Sequence, residues 1–435
     1  MILASILWSL IPAIVVNLFD QLSIITILFL RFLIAGIFFF FLALLFIFFN
    51  NKKMNDPQMR ILLRNLFKYI NHRNKRFFNV KFIYYYCILG FFGIILQVIF
   101  YFLALKETTI AFTMIGYQIS IILVAFYEHG VEAEKLDFFK VLYLIILIFC
   151  ISIISHVQFQ LYQHKQPVSI SFLGFLYVFS MAICMSFLNI SMGKESFSKE
   201  EIEFSNRNKN FKMVKLLFKI SLVFLTGILF MIPFLLVVYF FPFSMILTKE
   251  LMQFLFELTI LPSILIKWEI LFLIIFSTVI PYLLFFIASV NWNPYYLTFS
   301  QWESIVMLIE PIGGILFGVL LIGEFFPLDF LIIVLFLLSI SILLRYAHES
   351  RNKVNALILL KYKFHLFKGL PLKLLKLNGI TRVESLIGTH DLLLTVKTNS
   401  IKELYYLINT ELKTKLEMDD VEILFMTQIN KLETI

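Results

Sequence analysis

Ten apolar runs succeed one another along the chain, at approximately residues 2–19, 23–49, 82–105, 109–127, 138–156, 169–192, 217–241, 269–290, 296–322 and 328–346. Each is close to the roughly 20 residues that a membrane-spanning helix needs. A further apolar stretch, 243–267, carries Lys249, Glu250, Glu257 and Lys267. It reads as an interfacial helix or a partly buried loop, with an eleventh span as the alternative. After His348 the pattern becomes that of an ordinary soluble sequence. "ALILLKY", "TRVESLI", "DLLLTVKT" and "VEILFMTQ" predict strands, while "HLFKGLPLKLLKLN" and "SIKELYYLINTELK" predict helices. Leu404, Leu407, Ile408 and Leu412 form the apolar stripe of the second helix. The resulting βαββαβ order is that of a ferredoxin-like α+β domain, and about 80 residues suffice for one small core.

Composition supports the membrane assignment. The 435 residues are 60% hydrophobic and only 15% charged, where soluble domains are about a quarter charged. The 53 Phe residues, with abundant Ile, Lys and Asn, point to nucleotide-composition bias, so no function attaches to individual Phe. Cys87, Cys150 and Cys184 fall inside apolar runs, too scattered for a disulfide framework or metal site. The net charge of +9 is concentrated in two loops rather than spread as a nucleic-acid footprint. Loop 50–81 holds Lys52, Lys53, Arg60, Arg64, Lys68, Arg73, Lys75, Arg76 and Lys81 against Asp56. Loop 193–216 holds Lys194, Lys199, Arg207, Lys209, Lys212 and Lys215, whereas loop 157–168 offers only Lys165. With ten spans, both basic loops and both termini share one side, which the positive-inside rule makes cytoplasmic in a cell-membrane protein. Arg60, Arg64 and Lys68, spaced i, i+4, i+8, suit a helix lying on an anionic leaflet, or simply a solvated loop. The first run has neither a charged leader nor a small-residue cleavage site and reads as a mature span.

Two blocks carry a resemblance. The opening "LWSLIPAIVVNLFDQLSIITILFLRFLIAG", with Trp8, Arg31 and Ala35, and the pair "YFLALKETTIAFTMIGYQISIILVAFYEHGVEAEKL" and "FFIASVNWNPYYLTFSQWESIVMLIEPIGGILFGVLLIGEFFPL" resemble the EamA-like branch of the drug/metabolite transporter superfamily. Glu134 and Glu324 stand at equivalent places before the fifth helix of each half. The resemblance implies two five-helix repeats of inverted topology, 1–156 and 157–347, around a central solute cavity, and odd-numbered halves do invert. There are departures. Pro311 has no counterpart in the first half, where Ser120 and Ile121 stand, and Ala104 to Glu134 is 30 positions while Ala288 to Glu324 is 36. The tail, 350–435, resembles the RAM effector-binding domain of Lrp/AsnC-type regulators through "ITRVESLIGTHDLLLTVKTNSIKELYYLINTEL". Gly388 and Asp391 match its Gly-x-x-Asp, with Thr389 and with His390 where an aromatic is usual. That implies self-associating sheets, hence a homodimer or larger assembly, and an amino-acid-like effector at Gly388–Asp391. The regulators' DNA-reading module is absent, so nucleic-acid binding is not implied.

No HExxH, GxSxG or phosphate-cradling motif occurs, so no enzyme, cofactor or resident metal is expected. Polar groups at membrane depth are the informative ones. Glu303 and Glu310 are seven apart and share a helix face, with Glu310 near mid-membrane. Pro311 is expected to free the carbonyl of Met307, which with Gly313 and Gly314 suits a cation, proton or ammonium group. Gln97, Tyr101, Tyr117 and Gln118 on the third and fourth runs, and Tyr282 on the eighth, place hydrogen-bonding groups on the cavity helices that the resemblance implies. Trp8 belongs to the same candidate set. For each, interhelical packing without solute is the alternative, and Arg31 reads equally as structural or functional. His72, His129, His156 and His164 lack ligand spacing. The expectation is a secondary transporter and exporter of amino acids or similar small metabolites, with the lipid bilayer and a small solute as partners and the tail as a cytoplasmic amino-acid sensor. A membrane-bound sensor or scaffold without transport is the alternative.

Orientation is directly testable. A single cysteine at position 75 in a Cys-free variant should resist an impermeant thiol reagent in intact cells and react after permeabilisation. Reaction in intact cells would invert the topology.

Overall fold

The computed structural model of the chain describes residues 1–53, 73–74, 78–131, 138–165, 168–193, 209–241, 245–292, 297, 299–351, 354–361, 370–375, 377, 379–398, 401–415 and 420–425. Arg60, Arg64, Lys68, Lys75, Arg76, Glu134, Lys194, Lys199, Arg207 and His72 lie outside the described residues. The chain forms two compact units, Met1–Arg345 and Tyr346–Ile435.

The first unit is helical: α1 (Ile2–Leu18), α2 (Ile24–Lys53), α3 (Phe82–Glu107), α4 (Ile110–Gly130), α5 (Phe138–Lys165), α6 (Val168–Gly193), α7 (Lys209–Phe240), α8 (Trp268–Asn291), α9 (299–322) and α10 (Leu328–Arg351), of which 328–345 belong to this unit. A two-residue hairpin, β1 (Arg73–Asn74) with β2 (Val80–Lys81), precedes α3. Among the described residues nine helices, α2 to α10, are long and apolar enough to cross a membrane. Phe41, Phe149, Phe172, Phe240 and Phe336 are exposed on this unit, as side chains facing lipid would be.

The first apolar run departs from expectation. α1 is shorter than a full span and consists of two pieces, Ile2–Ser9 and Ile11–Leu18. Pro12 has no amide hydrogen for the carbonyl four residues back and crowds it, and the helix breaks at Leu10, two residues before the proline. α7 starts at Lys209, eight residues before the run expected at 217, which brings Lys209, Lys212 and Lys215 into the helix. Lys212 Nζ donates to the Ser289 carbonyl at 2.6 Å, near the end of α8. A cation there complements the helix C-terminus.

Segment 243–267 contains a helix, Met245–Glu257, and a short turn of helix, Leu261–Leu265. Its acidic groups are buried: Glu257 accepts from Ser23 N at 3.0 and 3.1 Å, and Glu250 from Ile24 N at 2.7 Å. Ser23 Oγ accepts from Ile25 N and Thr26 N. The first amides of a helix have no intrahelical acceptor, and here those of α2 are capped by another segment. Lys106 at the end of α3 pairs with Glu250 at 2.5 Å.

Small residues set how closely helices approach. The Gly90 carbonyl of α3 lies where a Cβ on Gly227 of α7 would come within 2.8 Å of it, and a Cβ on Gly90 would strike the Val223 carbonyl. Gly313 and Gly314, expected beside a cation site, serve contact instead: a Cβ on Gly313 would meet Ser9 of α1, and one on Gly314 would lie 2.8 Å from the Met114 sulfur of α4. α3 and α8 each contain a π-helical stretch, Leu89–Leu96 and Ile275–Val279. Each follows a seven-residue α-helical start.

The second unit is a four-stranded antiparallel sheet of β3 (Val354–Lys361), β4 (Ile380–Ser385), β5 (Leu392–Thr398) and β6 (Asp420–Phe425), in the order β4-β5-β3-β6. Alternate residues Ala356, Ile358, Leu360, Leu392, Leu394 and Val396 share a core with Leu404, Leu407, Ile408 and Leu412. These last four sit on α12 (401–415), and Leu374 of α11 (Leu370–Leu375) joins them. Period-2 strands and a period-3.6 stripe thus meet in one core.

The backbone contact of α3 with α7 leaves no room for a side chain. Gly90→Leu should lower the melting temperature of the detergent-solubilised protein, with a loss of about 1–3 kcal/mol as for other overpacked interiors. Gly130→Leu, where a Cβ meets nothing within 4 Å, is the matched control.

Candidate solute site

Two prolines lay the foundation of the site. Pro281 in α8 cannot donate to the Ser277 carbonyl four residues back. Arg31 of α2 supplies donors there: Nη2 to Ser277 O at 3.2 Å, and Nε to Thr278 Oγ1 at 2.6 Å. Pro311 acts likewise in α9, which breaks at Met307 and Leu308 into Phe299–Val306 and a second piece beginning at Ile309. The expectation that the Met307 carbonyl is left free is corrected by the geometry. The chain tightens so that Glu310 N donates to Met307 O at 3.3 Å.

Glu310 follows this break, is 6% exposed, and accepts from the Tyr117 hydroxyl of α4 at 2.5 Å. Charge-assisted bonds of this length are among the stronger ones. Arg31 is likewise 6% exposed. It lies within electrostatic reach of Glu310, Tyr101, Tyr117 and Tyr282, yet its hydrogen bonds go to Thr278 and Ser277, not to Glu310. One buried guanidinium and one buried carboxyl group are therefore each held by uncharged groups. Tyr101 of α3 packs edge-on against Tyr117 at 6.3 Å between centroids, and its hydroxyl is buried with no hydrogen-bond partner among the described residues. An unpaired buried hydroxyl costs about 1–3 kcal/mol.

Aromatic rings flank these charges. Trp8 stacks on Phe285 at 5.0 Å and meets Tyr282 edge-on at 5.5 Å. Tyr282 also meets Phe224 at 5.4 Å. Among the described residues, neither amide atom of the fully buried Gln118 finds a hydrogen-bond partner, nor do the buried Ser5 and Thr26 hydroxyls. Gln97 is half-buried one turn before Tyr101 on α3. The α9 break puts Glu303 and Glu310 on separate helical pieces, so their seven-residue spacing no longer fixes a shared face. Glu303 is half-buried and lies within electrostatic reach of Lys219 of α7.

The structure thus brings Trp8, Tyr282, Tyr101, Tyr117 and Glu310 into one cluster around Arg31, which the sequence left undecided between structure and function. The signal for Arg31 lay in Pro281, four residues past the carbonyl that the guanidinium fills. Among the described residues no three His, Cys, Asp or Glu side chains come together as a metal site.

In the second unit, Gly388, Thr389, His390 and Asp391 occupy the turn between β4 and β5. Asp391 N donates to Leu360 O at 2.9 Å, and Leu386 N to Asp391 O at 2.8 Å. His390 lies 3.7 Å from the Glu422 carboxylate on β6. The four candidate effector residues therefore share one anchored turn.

The Tyr117–Glu310 bond carries a measurable consequence. A double-mutant cycle of Tyr117→Phe and Glu310→Gln, read by thermal unfolding in detergent, should give a coupling of about 1.5–3 kcal/mol, the range for bonds to charged groups. Additive effects would mean that the bond contributes nothing.

Comparison with curated proteins finds no match. Residues 1–156, which supply Trp8, Arg31, Tyr101 and Tyr117 to this cluster, match the family model of the EamA-like transporters.

Proposed function

We propose that the chain is a secondary transporter of small metabolites, amino acids foremost, working by alternating access. The observation that carries this reading is the pair of buried ionisable groups, the Arg31 guanidinium and the Glu310 carboxyl, each hydrogen-bonded to uncharged groups, with the Tyr101 hydroxyl, unpartnered among the described residues, beside them. Two charges at membrane depth are costly, and such groups characteristically serve a pathway. A zwitterion complements them: its carboxylate fits the guanidinium and the Tyr101 hydroxyl, and its ammonium fits Glu310 and the faces of Trp8 and Tyr282.

The broken helices α1, α4 and α9 support the reading, because discontinuous helices line solute sites in many transporters. The π-helical stretches of α3 and α8, each after a seven-residue helical start, support treating 1–156 and 157–347 as two inverted five-helix repeats. Orientation follows from the basic loops, with both termini cytoplasmic. The strand order β4-β5-β3-β6 is the one a ferredoxin-like βαββαβ domain takes. It supports a RAM-like tail that senses cytoplasmic amino acid through Gly388, Thr389, His390 and Asp391 and pairs chains through its sheet. A sensor that reads the inside fits export.

Flux into proteoliposomes tests this. Counterflow of labelled L-leucine, or of a labelled amino-acid mixture, should be inhibited by zwitterionic amino acids. The corresponding amine or carboxylic acid alone should inhibit at least about tenfold less, since loss of one ionic contact costs about 1.4 kcal/mol or more. Glu310→Gln should abolish the preference for an ammonium group while the protein stays folded. Absence of flux for every amino acid would favour a sensor without transport.

A further inference from the structure

Glu324 lies between α9 and α10, outside both spans. Gly323 just before it adopts a left-handed conformation, φ +70°, which ends α9 and turns the chain back. The carboxyl then reaches across to α4. Oε1 accepts from Ile110 N at 2.6 Å, and Oε2 from Ala111 N at 3.3 Å. Gly318 makes room for it: a Cβ there would lie 2.9 Å from Glu324 Oε2. The next member of the network is Thr109, whose Oγ1 accepts from Phe112 N at 3.2 Å and donates to Gln158 Oε1 of α5. The first amides of α4, which have no intrahelical acceptors, are thus satisfied from α9 and from their own N-cap, and the N-cap is tied to α5.

α4 is itself in two pieces, Ile110–Thr113 and Ile115–Gly130. Glu310 holds the long piece at Tyr117. Glu324 holds the four-residue tip. Two carboxyl groups borne by α9 and its exit therefore fix the two parts of α4 separately.

We propose that Glu324 is a proton-operated latch that fastens the tip of α4 to the end of α9 and closes the solute site on the face where α4 begins. The proposal rests on the alternating-access reading for its purpose, though not for its test. Burial pushes the Glu324 carboxyl up to about 7, against the opposing pull of its bonds from Ile110, Ala111 and Thr109. Swung out into water, the same group would return to about 4.3. The latched state thus binds the proton more tightly than the open state, so latching is strongest in acid and is lost as pH rises through about 7. A protonated carboxyl still offers its carbonyl oxygen to Ile110 N. The other charged or titratable groups on the packed elements are Lys106 and Glu107 before α4, His156 on α5 and Asp329 on α10. Lys106 is engaged by Glu250 at 2.5 Å, and His156 lies against Gln160 and Phe330.

The test needs no solute. Cys87, Cys150 and Cys184 are replaced in the full chain, and Met114→Cys is introduced at the break in α4. Its rate of modification by an impermeant maleimide, applied from the side where α4 begins, is normalised to Ile266→Cys, an exposed position, at each pH. Between pH 5.5 and 8.5 the relative rate should rise about 30-fold, which is the linkage expected for a group titrating near 7 when latched and near 4.3 when free. Glu324→Gln, neutral and still an acceptor, should remain slow at every pH. Glu324→Ala should be fast at every pH. A relative rate independent of pH, or an undiminished rise in Glu324→Gln, overturns the latch. Latch behaviour in a protein that moves no amino acid would leave the latch standing and remove the solute assignment.

Discussion

Inside a bilayer no water can receive a backbone group that a helix leaves unpaired, so every helix break and every buried helix start must find its partner in protein. That constraint organises this molecule. The start of α2 is capped by Glu250 and Glu257, the start of α4 by Glu324, and the carbonyl opposite Pro281 by Arg31. In each case an ionisable side chain from a distant part of the chain is drawn against the interruption and held by backbone groups. The ionisable groups of the proposed solute site and its edge are therefore consequences of how the helices are interrupted.

The same constraint explains why the interruptions cluster. Glycines let α1 and α4 approach α9 at Gly313 and Gly314, beside the Pro311 break and close to the breaks at Leu10 and Met114. Close approach places the loosened turns of three helices beside one another. Only there can a side chain such as Tyr117 reach a carboxyl such as Glu310 across a helix interface. Continuous, bulky helices would have kept these groups a full side chain apart. The cost appears as buried hydroxyl and amide groups on Tyr101 and Gln118 without partners among the described residues, which a bound polar solute is equipped to satisfy.

Much of this was legible from local pattern. Among the described residues the apolar runs located nine long helices, the stripe of Leu404, Leu407, Ile408 and Leu412 located the core face of α12, and Pro311 located a break beside Glu310. What local pattern could not supply was partnership. Arg31 and Ser277 are 246 residues apart, and Ser23 and Glu257 are 234 apart. Nothing in the periodicity of either segment names the other. For that reason Glu250 and Glu257 read as marks of an interfacial segment, although they cap α2. Gly313 and Gly314 read as room for a cation when they are room for α1 and α4. The Met307 carbonyl misled for a different reason. A missing donor at i+4 does not leave an acceptor free when the chain can tighten to i+3.

The break at Met114 bears on how such a site could open. A continuous α4 held by α9 at both Tyr117 and Ile110 would have to lose both bonds at once, and their costs would add in a single barrier. A four-residue tip has little helical stability of its own, so its position depends on the packing of Ile110, Ala111 and Phe112 and on the bonds to Thr109 and Glu324. The tip can then leave α9 while Tyr117 stays on Glu310. The site can be uncovered on that face before its charges are disturbed, and a solute that competes for Glu310 meets a helix whose outer hold is already released. On the proposed latch, division of α4 would convert one concerted separation into two smaller steps, each governed by a different carboxyl group.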